Sequence, residues 1–235
     1  KKLNAELIDE HYYNSAEWFL ANATRYDSYD RKGPKVFAGE YAVQSVGIAS
    51  PDNKNTWYGA VAEAAFMTGL ERNAEVVQLT SYAPLFAHTE GWQWTPDMIW
   101  FDNLNAVGTT NYYVQKMYSN NAGTSVVPML LNDKPVTGQD GLYATAAIDD
   151  KTNEIILKVV NASNSTKSVS VVVDGIKKMQ SKAKVYTLGA DSKEAVNSLA
   201  EPTKISPSES EINVSGKKVA FDIKAMSFMV VRLKK

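Results

Sequence analysis

Two patterns of apolar and polar positions divide the chain. In the first half, short β-type apolar runs alternate with stretches in which apolar residues recur every three or four positions, an order typical of parallel α/β architecture. The sequence predicts strands at Leu7–His11, Val36–Val43 and Val76–Thr80, and helices that begin near Asn14, Thr56 and Asn111. Asn14 and Glu17 are spaced like a capping box for the first helix.

The second half of the chain has a β pattern throughout. All five Trp residues lie before about Gly123, and Val, Ser, Lys and Asn dominate after it. Alternating runs predict strands at Leu142–Asp149, Glu154–Val160, Ser168–Val173, Ala183–Leu188, Glu211–Ser215, Lys218–Ile223 and Met226–Leu233. The Asn/Ser-rich segment 161–166 is predicted to join the second and third of these runs as a hairpin. We therefore expect two domains, an α/β domain at 1–122 and an all-β sandwich domain at 123–235.

The second predicted strand delivers one carboxylate, Glu40, near its carboxyl end. At a period of two, Val36, Ala38 and Glu40 are expected to share one face. Phe37 and Tyr41 are then expected on the other face. If the small residues fill a barrel interior and the aromatic residues face covering helices, Glu40 lies at the barrel mouth, where such folds keep their chemistry.

Composition excludes several classes of function. With 25 basic and 26 acidic residues and no basic run longer than a pair, the chain has no electrostatic footprint for nucleic acid or an anionic membrane. Cysteine is absent, which excludes disulfides and thiolate metal sites. The segment 1–4 lacks the apolar core of a signal peptide, and no apolar run has the length of a membrane span.

No cofactor or metal is expected from the motifs. The sequence has no phosphate-cradling or dinucleotide-binding glycine pattern and no nucleophile elbow. His11 and His88 are the only histidines, and the acidic turn 149–154 lacks the glycine and the spacing of a calcium loop.

Five segments, in order, resemble the α-L-arabinofuranosidases of glycoside hydrolase family 51. They read Asp-Glu-His-Tyr-Tyr at 9–13, Val-Phe-Ala-Gly-Glu-Tyr-Ala at 36–42, Ser-Tyr-Ala-Pro-Leu-Phe at 81–86, Trp-Thr-Pro-Asp-Met-Ile-Trp-Phe at 94–101 and Gly-Thr-Thr-Asn-Tyr-Tyr-Val-Gln at 108–115. The β-rich remainder looks like the C-terminal sandwich of that family. The resemblance implies the C-terminal part of a (β/α)8 barrel followed by a jelly-roll-like β-sandwich.

The same resemblance implies a retaining glycosidase with Glu40 as its nucleophile on the seventh barrel strand. Retention requires a second carboxyl group about 5–5.5 Å away. The family's acid/base glutamate lies in an Asn-Glu dipeptide on the fourth strand, and the only such dipeptide here is Asn153-Glu154, in the sandwich. We therefore expect the acid/base residue outside this chain and the isolated chain to be inactive.

Other site residues follow from the resemblance. His11 and Tyr13 match the histidine and tyrosine that line the sugar subsite and orient the nucleophile. Trp92, Gln93 and Trp94 lie in the loop where the family places sugar-contacting groups, and aromatic faces and amides are suited to sugar rings and hydroxyls.

The remaining acids on the first half are expected to play smaller parts. Asp9 shares a face with His11, whereas Glu10 is expected to point the other way. Glu63, in an Ala-rich helix, is expected on a solvated face or in a helix pair.

The expected substrate is an arabinose-containing carbohydrate such as arabinoxylan or arabinan, and the expected parent is an extracellular or periplasmic bacterial enzyme. Two alternatives stay open. One is a non-catalytic carbohydrate-binding or adhesion module, which would be expected to carry its aromatic residues on the sandwich. The other is a retaining glycosidase for another sugar, such as xylose, which a panel of aryl glycosides would identify. Exposed sheet edges near Leu7 and Val76 further predict self-association or association with the N-terminal part.

Overall fold

The computed structural model describes residues 4–235 and begins with a small parallel sheet flanked by helices. Three strands form this sheet in the order β1-β2-β3, and both pairings are parallel. The elements, in chain order, are β1 (Leu7–Asn14), α1 (Ala16–Ala21), β2 (Lys35–Val43), α2 (Trp57–Arg72) and β3 (Val77–Thr80). The three predicted strands and the second helix are therefore confirmed.

Both helices begin at a hydroxyl-bearing cap. The helix predicted to begin near Thr56 does so, and the Thr56 side chain accepts a hydrogen bond from Gly59 N at the start of α2. In α1 the cap is Ser15, whose hydroxyl accepts from Trp18 N, so the capping box predicted at Asn14 is wrong by one position. The Asn14 carboxamide instead accepts from Ser15 N.

The segment between β3 and the last helix is more ordered than its sequence indicates. It contains a second small sheet, β4 (Phe86–His88), β5 (Ile99–Phe101) and β6 (Ala106–Gly108), and leads into helix α3 (Thr110–Ser119). Each of these strands has only three residues, too few for a recognisable pattern in the sequence.

The remainder of the chain forms a large antiparallel sheet of eight strands. After β7 (Ser125–Val127), a two-stranded ribbon is formed by β8 (Leu130–Leu131) and β9 (Lys134–Pro135). The long strands are β10 (Leu142–Asp149), β11 (Glu154–Asn161), β12 (Lys167–Val172), β13 (Lys182–Gly189), β14 (Ser208–Ser215), β15 (Lys218–Ile223) and β16 (Ser227–Lys234). The strand order is β12-β15-β14-β13-β16-β11-β10-β7.

The hairpin predicted around segment 161–166 is wrong. β11 pairs with β10 and β16, whereas β12 pairs with β15 at the edge of the sheet. Val169 and Val171 of β12 are only partly buried. An Asn/Ser-rich connection indicates a loop, but which strands it joins as neighbours depends on contacts far away in the chain.

Two apolar clusters hold the molecule together, and β11 contributes to both. Ile155, Leu157 and Val159 lie in one cluster with residues of β10, β13 and β15. Because side chains of β10 and β15, near opposite ends of the strand order, meet in this cluster, the sheet curls on itself. Ile156 and Val160 lie in the other cluster, which also contains the buried residues of α1 and α2. The curled sheet is thus packed directly against the helical layer.

Candidate active site

A β-bulge at Gly39 decides which way Glu40 points. Glu10 is paired with Ala38 and the next residue, His11, with Glu40, so Gly39 is the extra residue of β2. Consecutive residues of β1 face opposite sides, and Glu40 therefore lies on the face opposite Ala38. The prediction that Ala38 and Glu40 share a face is wrong, because a bulge reverses the alternation. A Cβ at Gly39 would collide with the Asp9 carboxylate, which explains why glycine occupies this position.

Glu40 lies in the C-terminal half of the middle parallel strand, beside His11 and Tyr13. The Tyr13 hydroxyl donates a 2.6 Å hydrogen bond to Glu40 Oε2, and His11 Nδ1 lies 3.5 Å from the same oxygen. The side chain of Glu40 is 41% exposed, and among residues 4–235 the contacts of its carboxylate are made by Oε2. The structure thus brings together three residues that the sequence assigns to one site.

The partners of Glu40 favour a carboxylate that accepts hydrogen bonds. Burial, followed by the hydrogen bond to Glu40, raises the pKa of Tyr13 above its ordinary value, so its hydroxyl keeps its proton and remains a donor. His11 is held from the other side, since its Nε2 lies 2.9 Å from Asp9 Oδ2. Asp9, His11, Glu40 and Tyr13 therefore form a connected polar row on one face of the sheet.

The opposite face of β1 carries a separate cluster around Glu10. The hydroxyls of Tyr26 and Tyr29 each donate a 3.0 Å hydrogen bond to the Glu10 carboxylate. The Tyr12 hydroxyl also donates to it, and Arg25 Nε lies 3.7 Å away. The prediction that Glu10 points away from Glu40 is confirmed. The Glu10 contacts with Arg25, Tyr26 and Tyr29 hold β1 against the segment between α1 and β2.

Trp92, Gln93 and Trp94 lie on an exposed loop. Trp92 and Trp94 are 39% and 54% exposed, and Trp92 packs edge-on against Trp100 with ring centroids 6.1 Å apart. Between residues 4 and 235, no hydrogen bond or aromatic contact joins the three residues to Glu40. Their part in a sugar site stays a prediction.

A second carboxyl group is fully buried behind the strand that carries Glu40. Glu63 of α2 accepts a 2.8 Å hydrogen bond from the backbone N–H of Val43, the last residue of β2, while its Oε2 has no hydrogen-bond partner among residues 4–235. Burial raises the pKa of Glu63 to about 8. The expectation of a solvated Glu63 is wrong, because α2 is buried on all sides between the small sheet and the curled sheet. The Ala-rich run around Glu63 was the available signal, since small residues on every face of a helix indicate close packing.

No second acid completes a hydrolytic pair with Glu40 in the described part of the chain. Asp9 is separated from Glu40 by the His11 ring. Glu154, of the only Asn-Glu dipeptide, lies in β11 and forms an ion pair with Arg232. Residues 4–235 also contain no group of three or more His, Asp or Glu side chains arranged to hold a metal ion. None of the helices in that range has the length and apolar character needed to cross a bilayer.

Comparison with known proteins gives consistent matches. The model of the family described as "Alpha-L-arabinofuranosidase C-terminal domain" matches residues 39–227. An extracellular exo-α-L-arabinofuranosidase of Streptomyces chartreusis is 49% identical over 174 residues, covering 71% of this chain and 19% of its own length. α-L-arabinofuranosidase 2 of Arabidopsis thaliana is 34% identical over 216 residues, covering 90% of this chain and 30% of its own length. The chain thus spans less than a third of these curated relatives.

A solved structure extends the likeness to the fold. An arabinose-bound α-L-arabinofuranosidase of glycoside hydrolase family 51 superposes with a TM-score of 0.87 at 29% identity, over 97% of this chain and 37% of that one. The predicted fold class, the last part of a (β/α)8 barrel followed by a β-sandwich, is confirmed by this likeness together with the strand order.

Proposed function

The chain belongs to the family of α-L-arabinofuranosidase C-terminal domains, and from that premise we propose that it is the C-terminal portion of a retaining α-L-arabinofuranosidase. The enzyme removes terminal arabinofuranose from arabinan- or arabinoxylan-type polysaccharides and oligosaccharides. The observation that carries this proposal is Glu40, half exposed in the C-terminal half of β2 and bound by Tyr13 at 2.6 Å. Residues 1–122 form the end of the catalytic barrel, and residues 123–235 form the sandwich domain.

Glu40 acts as the nucleophile. Its carboxylate attacks the anomeric carbon, the bond to the leaving oxygen breaks, and a covalent glycosyl-enzyme forms. Water then attacks the same carbon from the opposite face, releases arabinose and regenerates the carboxylate, so the anomeric configuration is retained. Tyr13 and His11 hold Glu40 in position for the attack.

Protonation of the leaving group needs a second carboxyl group, which lies in a part of the polypeptide outside this chain. The lack of a second acid beside Glu40 among residues 4–235 supports this division. The exposed apolar side chains Leu7 and Leu79, on the two edge strands of the parallel sheet, mark where the preceding barrel strands complete the structure. By itself the chain lacks the acid/base group and does not turn over substrate.

The arabinose binds over Glu40. His11 and Tyr13 line its subsite, and Trp92, Gln93 and Trp94 approach it from the loop before Thr95. By analogy with the relative from Streptomyces chartreusis, whose name describes it as extracellular, the enzyme acts outside the cell. Its substrates are plant-type polysaccharides, which are too large to enter a cell.

A panel of aryl glycosides tests this function in the full-length enzyme, the longer polypeptide of which we propose this chain to be part. The aryl α-L-arabinofuranoside should be hydrolysed fastest, with β-configured arabinose released in no detectable amount in the first turnovers. A preference for an aryl xyloside, or inverted product, would contradict the proposal. The first outcome tests which sugar the enzyme recognises, and the second tests whether the anomeric configuration is retained.

A further inference from the structure

A cavity of about 430 Å³ lies between three segments of the chain. The first is the loop after β2, which contributes Asn53, Lys54 and Asn55, and the second is the segment after β3, which contributes Trp100 of β5 and Val107 of β6 among others. The third belongs to the curled sheet and contributes residues 196–200. Ligand cavities in proteins commonly have volumes of about 300–1,000 Å³, so the size suits a small oligomeric ligand.

The cavity lies at the same end of the parallel sheet as Glu40. In a parallel βα fold, the segments that follow the strands all emerge at one end. The segments after β2 and β3 both emerge at that end, and Glu40 lies in the C-terminal half of β2, which ends at Val43. The loop of the curled sheet is tied to that end by two backbone hydrogen bonds, from Trp57 N to Ala195 O at 2.8 Å and from Tyr58 N to Lys193 O at 2.9 Å.

The walls are held in place by their own hydrogen bonds. The Asn197 carboxamide donates to Gly108 O, at the end of β6, over 3.1 Å, and so joins the loop of the curled sheet to the segment after β3. The Thr95 hydroxyl donates to Asn53 O over 3.0 Å and joins that segment to the loop after β2. Because the walls are already fixed, little conformational entropy is lost when a ligand enters the cavity.

The lining is suited to a neutral ligand with both C–H and hydroxyl surface. Trp100 is partly exposed in the wall and its indole nitrogen is directed to Asn55 Oδ1 at 3.4 Å. Val107, Val196 and Leu199 supply apolar surface, and the exposed residues Thr89 and Ser198 add hydroxyl groups to the lining. Lys54 is the single charged residue among the described residues that line it. Such a mixture of an aromatic face, apolar surface and hydroxyls fits a sugar better than an ion.

We propose that this cavity binds the main chain of the polysaccharide, away from the arabinose that is removed at Glu40. The inference rests on the proposed function and extends it, because it gives the curled sheet a part in substrate binding through residues 196–200. A xylan and an arabinan main chain share the chemistry that the cavity recognises, and the experiment below separates them.

The test fills the cavity in the full-length enzyme that carries Glu40→Gln, so that bound oligosaccharide is not cleaved. Ala200→Trp places a large side chain on an exposed position of the wall. Asp191→Trp, on the same loop but outside the lining, is the matched control. Calorimetric titration with a linear xylo-oligosaccharide and with a linear arabino-oligosaccharide measures binding without catalysis.

Ala200→Trp should weaken binding of one of the two oligosaccharides by about five- to tenfold, whereas Asp191→Trp should leave it unchanged. The oligosaccharide that responds identifies the main chain. The inference would be overturned if Glu40→Gln alone bound neither oligosaccharide. It would also be overturned if adding Ala200→Trp left the affinity for both oligosaccharides unchanged. Thr89→Trp, at an exposed lining position on a different segment, repeats the test if Ala200→Trp fails to fold.

Hydrolysis of the aryl arabinofuranoside by the enzyme with Glu40 intact is measured in parallel. If the enzyme with Glu40 intact and no tryptophan substitution fails to hydrolyse the aryl arabinofuranoside, that result counts against the proposed function, whatever the titrations give. Intact activity combined with unaltered oligosaccharide binding would count against the cavity alone.

Discussion

The hydroxyl of Tyr13 donates a 2.6 Å hydrogen bond to Glu40 Oε2, across the pairing of β1 and β2. This bond links the residue proposed as nucleophile to a neighbour on the adjacent strand. It fixes the carboxylate rotamer through one of its two oxygens.

Tyr13→Phe in the full-length enzyme removes this donor and keeps the ring. A hydrogen bond to a charged group contributes about 1.5–3 kcal/mol, so kcat/KM on the aryl arabinofuranoside should fall by about 10- to 100-fold. Tyr58→Phe is the matched control, because the Tyr58 hydroxyl bonds to the exposed Glu17. Equal activity of the two variants would show that Tyr13 does not position Glu40.

Gly39→Ala tests the bulge that turns Glu40 towards His11. The added methyl group would collide with the Asp9 carboxylate, so either the bulge or the Asp9–His11 contact must change. We expect a loss of about 1–3 kcal/mol in the free energy of unfolding together with a large loss of kcat. Gly47→Ala, where a Cβ meets nothing within 4 Å, should change neither. Normal kcat in Gly39→Ala would contradict the role given to the bulge.

Glu63 should make stability depend on pH. Its pKa is about 8 in the folded protein against a reference value of 4.5, so the unfolded chain loses a proton that the folded chain keeps between these values. Stability is therefore lost as pH rises through this window, by about 3–5 kcal/mol in total. Glu63→Gln has no proton to lose and should be more stable than the parent at pH 8.5 but similar at pH 4.

The measurement is denaturant unfolding of the full-length enzyme across that pH range. Glu75→Gln is the control, because Glu75 is exposed in the turn between α2 and β3. The free energy of unfolding of this variant should equal that of the parent at every pH. Parallel curves for the parent and Glu63→Gln would show that Glu63 is ionised in the folded protein.

A buried ion pair joins the helical layer to the curled sheet. Lys158 Nζ of β11, fully buried, lies 2.6 Å from Glu71 Oε2 of α2, and burial lowers the pKa of the lysine. Glu71→Gln leaves the ammonium without its counter-charge and should cost about 3–5 kcal/mol of stability. Adding Lys158→Met to that variant should restore most of it. Glu211→Gln, in the exposed pair with Lys182, should change stability by less than about 1 kcal/mol.

Local patterns account for much of what the sequence predicts. The alternating run predicts the strand Glu154–Val160, and in the structure this is β11, with Ile155, Leu157 and Val159 together in one apolar cluster. The helical periodicity after Thr56 likewise predicts the start of α2 correctly. Both features depend on residues close together in the chain.

The failures involve partners that local patterns do not identify. The edge position of β12 depends on its pairing with β15, some fifty residues later in the chain. Burial of Glu63 depends on two sheets that enclose α2. The reversed face of Glu40 had a local signal, Gly39 within a strand, but the bulge itself follows from the pairing with β1. The site residues His11 and Tyr13 were found through family resemblance and not from spacing.

Trapping the covalent intermediate would show whether Glu40 is the nucleophile. The full-length enzyme is incubated with an activated arabinofuranoside whose 2-position carries fluorine, which slows release of the glycosyl-enzyme, and is then digested and analysed by mass spectrometry. We expect one arabinosyl-type adduct, on the side chain of Glu40, and none in the Glu40→Gln variant. An adduct on another carboxylate, or full turnover by Glu40→Gln, would contradict it.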